Sequence, residues 1–289
     1  MCGIAGYCLD PKHYSKISTH DLAGQMLYDI EHRGQHATGA AWINPRNGRR
    51  VISKAPTSAS NFVPKAGARL CEGATTAILH TRWATQGSPS NNSNNHPIPR
   101  GKIVLTHNGH ISNDTELFKQ LGVPRIGQVD SEAVAALVAF ATGKPWEILS
   151  EIYGTAALAW IQQHDPRTLH LARVNSSPLW IAQSNHGSLF YGSTQQTVEN
   201  AAVMTDSEID WLYEAKEGEY FKVKDGHITE YQTFTPRTYE RASYWAKYTN
   251  GTATTPTYQT ELDYLGKYNQ RKADKYAKWW EQHDELMDF

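Results

Sequence analysis

The chain is poor in cysteine and has no surplus of either charge. Its three cysteines, Cys2, Cys8 and Cys71, are odd in number and include no C-x-x-C pair. Such a set builds neither a disulfide framework nor a zinc knuckle, and it points to a reducing compartment. Lysine and arginine number 28 against 29 aspartate and glutamate, a formal net charge of -1. There is no basic field to grip nucleic acid and no acidic block to form a tail. Long apolar runs are also missing. The longest, Ala133 to Ala141, is far shorter than the ~20 residues of a membrane span. No basic stretch followed by an apolar one opens the chain, and residue 2 is not the glycine that myristoylation needs, so neither a secretory leader nor that lipid anchor is expected. A Gly-x-x-x-x-Gly-Lys-Ser/Thr phosphate loop, an internal repeat and a heptad run are absent as well. What remains is a polar globular protein of 289 residues, mean hydropathy -0.58, expected in the cytoplasm. That length suits one large domain or two small ones.

What is present begins at Met1-Cys2-Gly3-Ile4-Ala5-Gly6. Removal of Met1, which aminopeptidases carry out when a small residue follows, would put a thiol and a free α-amine on one residue. An α-amine titrates near about 7.7–8.0 and accepts the thiol proton at neutral pH, so the pair is a nucleophile with its own base. Read alone, Cys2 is equally an ordinary small residue in an edge strand.

Gly3 to Leu9 reads as a strand ended by Asp10-Pro11, and Thr19 opens a helix with apolar positions at Leu22, Met26, Leu27 and Ile30 that ends before Gly34. A hairpin follows, Ala40–Ile43 and Val51–Ser53 about an Asn-Gly-containing turn. Thr75–Leu79 is a buried strand, and the Ser- and Asn-rich stretch 86–95 after it lacks the apolar residues to form an element. Ile103–Thr106 is a strand running into His107-Asn108-Gly109, where Asn-Gly is by itself a turn signal. Asp114–Leu121 and Ser131–Ala141 are helical, and from Gly154 to Tyr231 the pattern is mostly β. Strands clustered early and late with helices between them predict stacked sheets covered by helices. Residues 233–289 change character. They are rich in Thr, Tyr, Lys and Trp, and Tyr276, Trp279, Trp280, His283 and Met287 form an aromatic stripe at helical spacing, suited to packing on its own domain or on a partner.

Four further stretches accompany the N-terminal one: Glu31-His32-Arg33-Gly34-Gln35-His36-Ala37-Thr38-Gly39, His80-Thr81-Arg82-Trp83-Ala84-Thr85-Gln86-Gly87 with Asn95-His96-Pro97, His107-Asn108-Gly109, and Asp130-Ser131-Glu132. In order and spacing the set resembles the class II glutamine amidotransferases, members of the N-terminal-nucleophile hydrolases. The His-Thr-Arg-Trp-Ala-Thr-x-Gly run is most similar to the branch with the glutaminase half of glucosamine-6-phosphate synthase. The resemblance covers residues 2–232, a glutaminase domain. It implies an α+β fold, the four-layer αββα sandwich, and leaves 233–289 as an extension with a terminal helix.

The resemblance also implies roles, and physical chemistry makes sense of them. Amide hydrolysis needs a nucleophile, a base, donors for the developing oxyanion and a grip on the substrate. Cys2 supplies the first two. The Asn108 side chain and the Gly109 backbone N–H are the implied oxyanion donors, with a hairpin turn as their plainer reading. Free glutamine carries a carboxylate and an ammonium. Arg82, with Thr85, is the implied carboxylate clamp, and Asp130 the ammonium site; the plainer readings are a surface arginine and a helix N-cap. Trp83 and the loop to Asn95 match a lid over the glutamine pocket, with His96 at its far end either lining the site or serving as a structural histidine. Arg33 and Gly34 read as support beside the nucleophile. His32/His36 and His107/His110 have spacings that metals use, but they lie in turns without ligand partners, so no metal and no cofactor is expected. Cys8 and Cys71 read as small buried apolar residues.

Three functions compete. The chain is a glutaminase that hands ammonia to a separate synthetase protein, because too few residues follow 232 for a second catalytic domain. Alternatively it is a stand-alone amidohydrolase acting on glutamine or a γ-glutamyl amide. The third reading, a non-catalytic glutamine-binding module, leaves the nucleophile without a purpose.

Overall fold

The structure, a computed structural model, describes residues 2–237. The expected terminal helix and its aromatic stripe lie outside the described residues. In chain order the elements are β1 (Gly3–Cys8), α1 (Thr19–Ile30), β2 (Ala37–Ile43), β3 (Arg50–Ala55), α2 (Ala59–Ala66), β4 (Thr76–Arg82), β5 (Ile98–Arg100) and β6 (Ile103–Ile111). They continue with α3 (Asp114–Leu121), α4 (Ser131–Phe140), α5 (Pro145–Leu149), β7 (Gly154–Gln162), β8 (Asp165–Asn175), β9 (Trp180–Ser184), β10 (Leu189–Gly192), α6 (Gln195–Met204), β11 (Ile209–Glu214), β12 (Glu219–Lys224) and β13 (His227–Thr233).

The strands form two antiparallel sheets, a seven-stranded one in the order β11-β9-β10-β1-β4-β2-β3 and a six-stranded one in the order β13-β12-β8-β7-β6-β5. Strand alternation builds the layers. On β1, Ala5 and Tyr7 join the core shared with α1, α2 and α6, whereas Ile4 and Cys8 join the core between the sheets. A third core lies between the second sheet and α3, α4 and α5. Three apolar layers between four structural layers make the αββα sandwich that the resemblance implied.

The α1 stripe folds as its spacing predicts, for Leu22, Met26, Leu27 and Ile30 are all buried against β1 and β4. The helix ends at Ile30 and passes into a short 3-10 turn, Glu31–Arg33. Cys8 and Cys71 are buried, as expected. Three local expectations are corrected. β1 lies between β10 and β4, so Cys2 leads into an interior strand and not an edge. Asn108 and Gly109 form no hairpin turn, nor are His107 and His110 in turns. β6 runs on through them, with Asn108 paired to Ala157 and Gly109 to Ala156. The 86–95 stretch is not without structure either, since Asn92–Asn94 make a 3-10 turn and Asn94 and Asn95 are fully buried.

Candidate active site

The site forms where the start of β1 and the ends of β4 and β6 meet. Antiparallel pairing sets Gly3 opposite Thr81 and Ile4 opposite His80, so the residue before β1 lies beside Arg82 and Trp83. The Cys2 thiol donates to the Trp83 carbonyl at 3.6 Å. Arg33 Nε donates to the Cys2 carbonyl at 3.0 Å. A Cβ on Gly34 would strike the backbone of Arg82 and Trp83, so only glycine lets that turn approach. Both supporting roles read from the sequence are therefore located. Burial pushes the Cys2 thiol up from its ordinary range, opposed in part by the Arg82 charge; Asp130 adds a smaller push in the same direction as burial. The three groups thus sense one another.

β6 reaches the site through histidines. His80 Nε2 donates to the His107 carbonyl at 3.1 Å, which ties β4 to the residue before Asn108. His107 Nε2 faces the Thr155 carbonyl at 3.2 Å and must donate to it, leaving Nδ1 to accept from the Ser131 hydroxyl at 2.8 Å. Burial holds both imidazoles below their ordinary range, and so neutral. Asn108 is buried, and its side-chain nitrogen has no acceptor among the described residues. Gly109 has φ +148, and a Cβ there would collide with the Thr155 carbonyl oxygen, so β6 tolerates only glycine at that place.

Asp130 performs the plainer of its two readings outright. Its Oδ1 accepts the Ser131 N–H at 2.9 Å, capping α4. Its Oδ2 accepts the Ile111 N–H at 2.6 Å and lies 3.5 Å from His110 Nδ1. A carboxylate offers about four lone-pair positions, so capping leaves capacity for an ammonium.

Arg82 is buried and is no surface arginine. Its Nη1 donates to Asn95 Oδ1 at 2.8 Å, and its Nη2 to the carbonyls of Gln86 and of Gly87, the latter at 3.0 Å. Three of its five N–H groups serve the loop, and two remain for a ligand. Asn95 and Asn94 anchor the far end of that loop. Asn95 Nδ2 donates to the Pro89 carbonyl at 2.7 Å, and Asn94 exchanges hydrogen bonds with Gln128, giving to its Oε1 at 3.0 Å and accepting its N–H at 2.9 Å. Trp83 is 47% exposed and its ring lies 4.7 Å from that of His36. Thr85 is exposed on the same segment. His96 is buried, stacked on His80 at 4.0 Å, with neither ring nitrogen bonded among the described residues. Among the described residues no group of His, Cys, Asp and Glu side chains could hold a metal ion.

The sequence reading missed the residues that hold the machinery in place: His80, Ser131, Asn94, Gln128 and Lys54. Of these, Lys54 donates to the Asn95 carbonyl at 2.7 Å and to the Pro97 carbonyl at 3.1 Å from a strand forty residues away. Of the five, His80, which opens His80-Thr81-Arg82-Trp83, and Ser131, inside Asp130-Ser131-Glu132, carried a local signal.

Known proteins share both sequence and fold with the chain. Residues 80–200 match the glutamine amidotransferase domain family. The chain is 31% identical over 198 residues to glutamine–fructose-6-phosphate aminotransferase (isomerizing) of Staphylococcus aureus strain Mu50, covering 63% of this chain and 30% of that protein. It is 30% identical over 261 residues to the enzyme of the same name from Listeria innocua, covering 86% of this chain and 39% of the relative. The chain thus spans about a third of the length of these curated relatives. Among solved structures, glutamine phosphoribosylpyrophosphate amidotransferase from B. subtilis, complexed with ADP and GMP, superposes with a TM-score of 0.64 at 19% identity, over 81% of this chain and 49% of that one. A glutamine aminotransferase class-II domain protein from Silicibacter pomeroyi gives a TM-score of 0.51 at 15% identity, over 82% of this chain and 100% of that one. At such identities these two likenesses speak for the fold. With the fold, the motif order and the matched domain in agreement, the chain carries a glutamine amidotransferase domain, and its fold is the αββα sandwich of the class II, N-terminal-nucleophile members.

Proposed function

We propose that the chain, once Met1 is removed, hydrolyses the side-chain amide of glutamine to glutamate and ammonia through a thioester on Cys2. The observation that carries this reading is the buried Asn108 side-chain nitrogen, a donor without an acceptor among the described residues, on a strand of the sheet that faces the nucleophile's sheet. An unmet buried donor costs about 1–3 kcal/mol, and a substrate oxyanion would satisfy it.

The Cys2 α-amine takes the thiol proton, and Sγ attacks the side-chain carbonyl carbon. Charge develops on the carbonyl oxygen, where Asn108 Nδ2 and the Gly109 N–H donate. As the tetrahedral intermediate collapses, the C–N bond breaks and the ammonium of Cys2 returns the proton to the departing ammonia. Water, deprotonated by the same amine, then attacks the thioester carbon; the C–S bond breaks, the ammonium returns its proton to Sγ, and glutamate leaves. Arg82 would take the substrate α-carboxylate with its two uncommitted N–H groups, and Asp130 the α-ammonium. Burial opposes ionisation of the thiol, which favours a mechanism where proton and attack move together over a standing thiolate.

Ammonia is proposed to pass to an acceptor enzyme carried on another protein, glutamine being the substrate on this side. The experiment is glutamate release from L-glutamine by the Met1-free chain and its Cys2→Ala variant, with and without proteins that co-purify from the source. Turnover that Cys2→Ala abolishes, and that a co-purifying protein raises, is expected. Full turnover regardless of added protein would favour the stand-alone amidohydrolase.

A further inference from the structure

Two cations of the site meet on one residue. Asn95, fully buried, receives Arg82 Nη1 on its side-chain oxygen at 2.8 Å and Lys54 Nζ on its backbone oxygen at 2.7 Å. Lys54 comes from β3 and also spans to the Pro97 carbonyl, so it clasps the loop on both sides of His96. Carbonyl and amide oxygens, not carboxylates, take up both cations. The ionisable groups that face Lys54 are Arg82 and His80 on β4 and His96 in the loop, and none of them is acidic. Burial and the neighbouring Arg82 push the Lys54 amine down to about 8. A cation desolvated in this way is costly, and a carboxylate arriving beside it offsets that cost.

We infer that Lys54 is a positioning residue for the substrate carboxylate: it acts through Asn95 to hold the Arg82 guanidinium, and its charge deepens the positive field that the carboxylate enters. The inference rests on the reading of Arg82 as the carboxylate clamp. It involves no contact between Lys54 and the substrate. Because the protonated amine favours the bound carboxylate, affinity is full below about pH 8 and declines as pH rises through the Lys54 titration.

The test is calorimetric titration of L-glutamine into Cys2→Ala protein, which cannot turn it over, alone and combined with Lys54→Met, Lys54→Arg or Arg82→Ala. Lys54→Met is expected to weaken binding about tenfold at pH 7. Lys54→Arg, which keeps the charge, is expected to stay within about threefold of its parent and to lose less affinity between pH 7 and 9. The amines of the substrate and of residue 2 titrate alike in parent and variant, so they cancel from that comparison. Unchanged affinity in Lys54→Met would overturn the inference. So would an equal loss in Lys54→Arg with a pH profile parallel to the parent's, since both would mark a merely structural lysine. If Lys54→Met fails to fold, the pH comparison of parent and Lys54→Arg decides alone. Arg82→Ala separates the two readings. Unchanged binding there removes the clamp itself, whereas loss there with intact binding in Lys54→Met removes only the role of Lys54.

Discussion

At the scale of single residues, Asp130 and Asn108 are where structure and chemistry pull apart most cleanly. Asp130 caps α4 through one oxygen and faces the site with the other. Asparagine caps a helix as well as aspartate but carries no charge. Asp130→Asn should therefore keep the cap on α4 but set its NH2 against the Ile111 N–H, losing about 1–3 kcal/mol of stability and most glutamine affinity. Asp130→Ala loses the affinity and the cap's contribution of about 1 kcal/mol as well. Thermal unfolding and glutamine titration of the two variants measure this, and equal affinity in Asp130→Asn and the native protein would take the carboxylate out of recognition. For Asn108→Ala, removal of one oxyanion donor should lower the rate constant for glutamate release about 10²–10³-fold. Its Michaelis constant should change little, because the donor is engaged only as the oxyanion forms. Cys2, Asn108, Gly109, Arg82 and Asp130 were all legible in the sequence, since each stands inside a short motif. His96 was read two ways, as lining the site or as structural, because a histidine packed on other histidines leaves no trace in its own neighbours along the chain.

At the scale of elements, the loop that ends at Asn95 is tied through Gln128 to a buried ion pair. Glu132, on α4, pairs with Arg100 on β5 and accepts the N–H groups of Ile126 and Gly127 at 2.7 and 2.6 Å. That fixes the segment carrying Gln128, which exchanges hydrogen bonds with Asn94. Breaking a buried pair by removing one partner costs about 3–5 kcal/mol, because it strands the other charge. Glu132→Ala should therefore lower stability by about that amount and also speed amide hydrogen exchange across residues 86–95. Destabilisation without faster exchange in that loop would mean that the ion pair serves the core alone. Elements with strong periodicity, α1, α3 and the β2–β3 hairpin, were readable from the chain. α6 was not. Its Thr194 cap was present, but only Val198, Ala201 and Ala202 give it an apolar face, too narrow to stand out in a polar stretch. β5, three residues with a central proline, and α2, with Pro64 inside it, carry signals that argue against the elements they form. β6 was cut short because Asn-Gly is a turn signal in isolation. Tertiary pairing with β7 overrides it.

At the scale of the whole molecule, the four layers bring together groups that are far apart in sequence. Two sheets face each other across a common core, and the site occupies the edge where β1, β4 and β6 converge. The layer order could be expected from the sequence only through the family resemblance, since composition and periodicity gave no more than stacked sheets under helices. Contacts such as Lys54 with Asn95 or His80 with His107 lay beyond it altogether, being products of strand order and register. The proposed mechanism requires Cys2 to be the single nucleophile of a site that accepts glutamine. Intact mass measurement before and after exposure to 6-diazo-5-oxonorleucine, followed by peptide mapping, tests it most directly. The expected result is a chain without Met1 that gains one adduct, on Cys2, with glutamine slowing its formation. A Met1-free chain that gains no adduct, or gains it on Cys8, Cys71 or elsewhere, would contradict it.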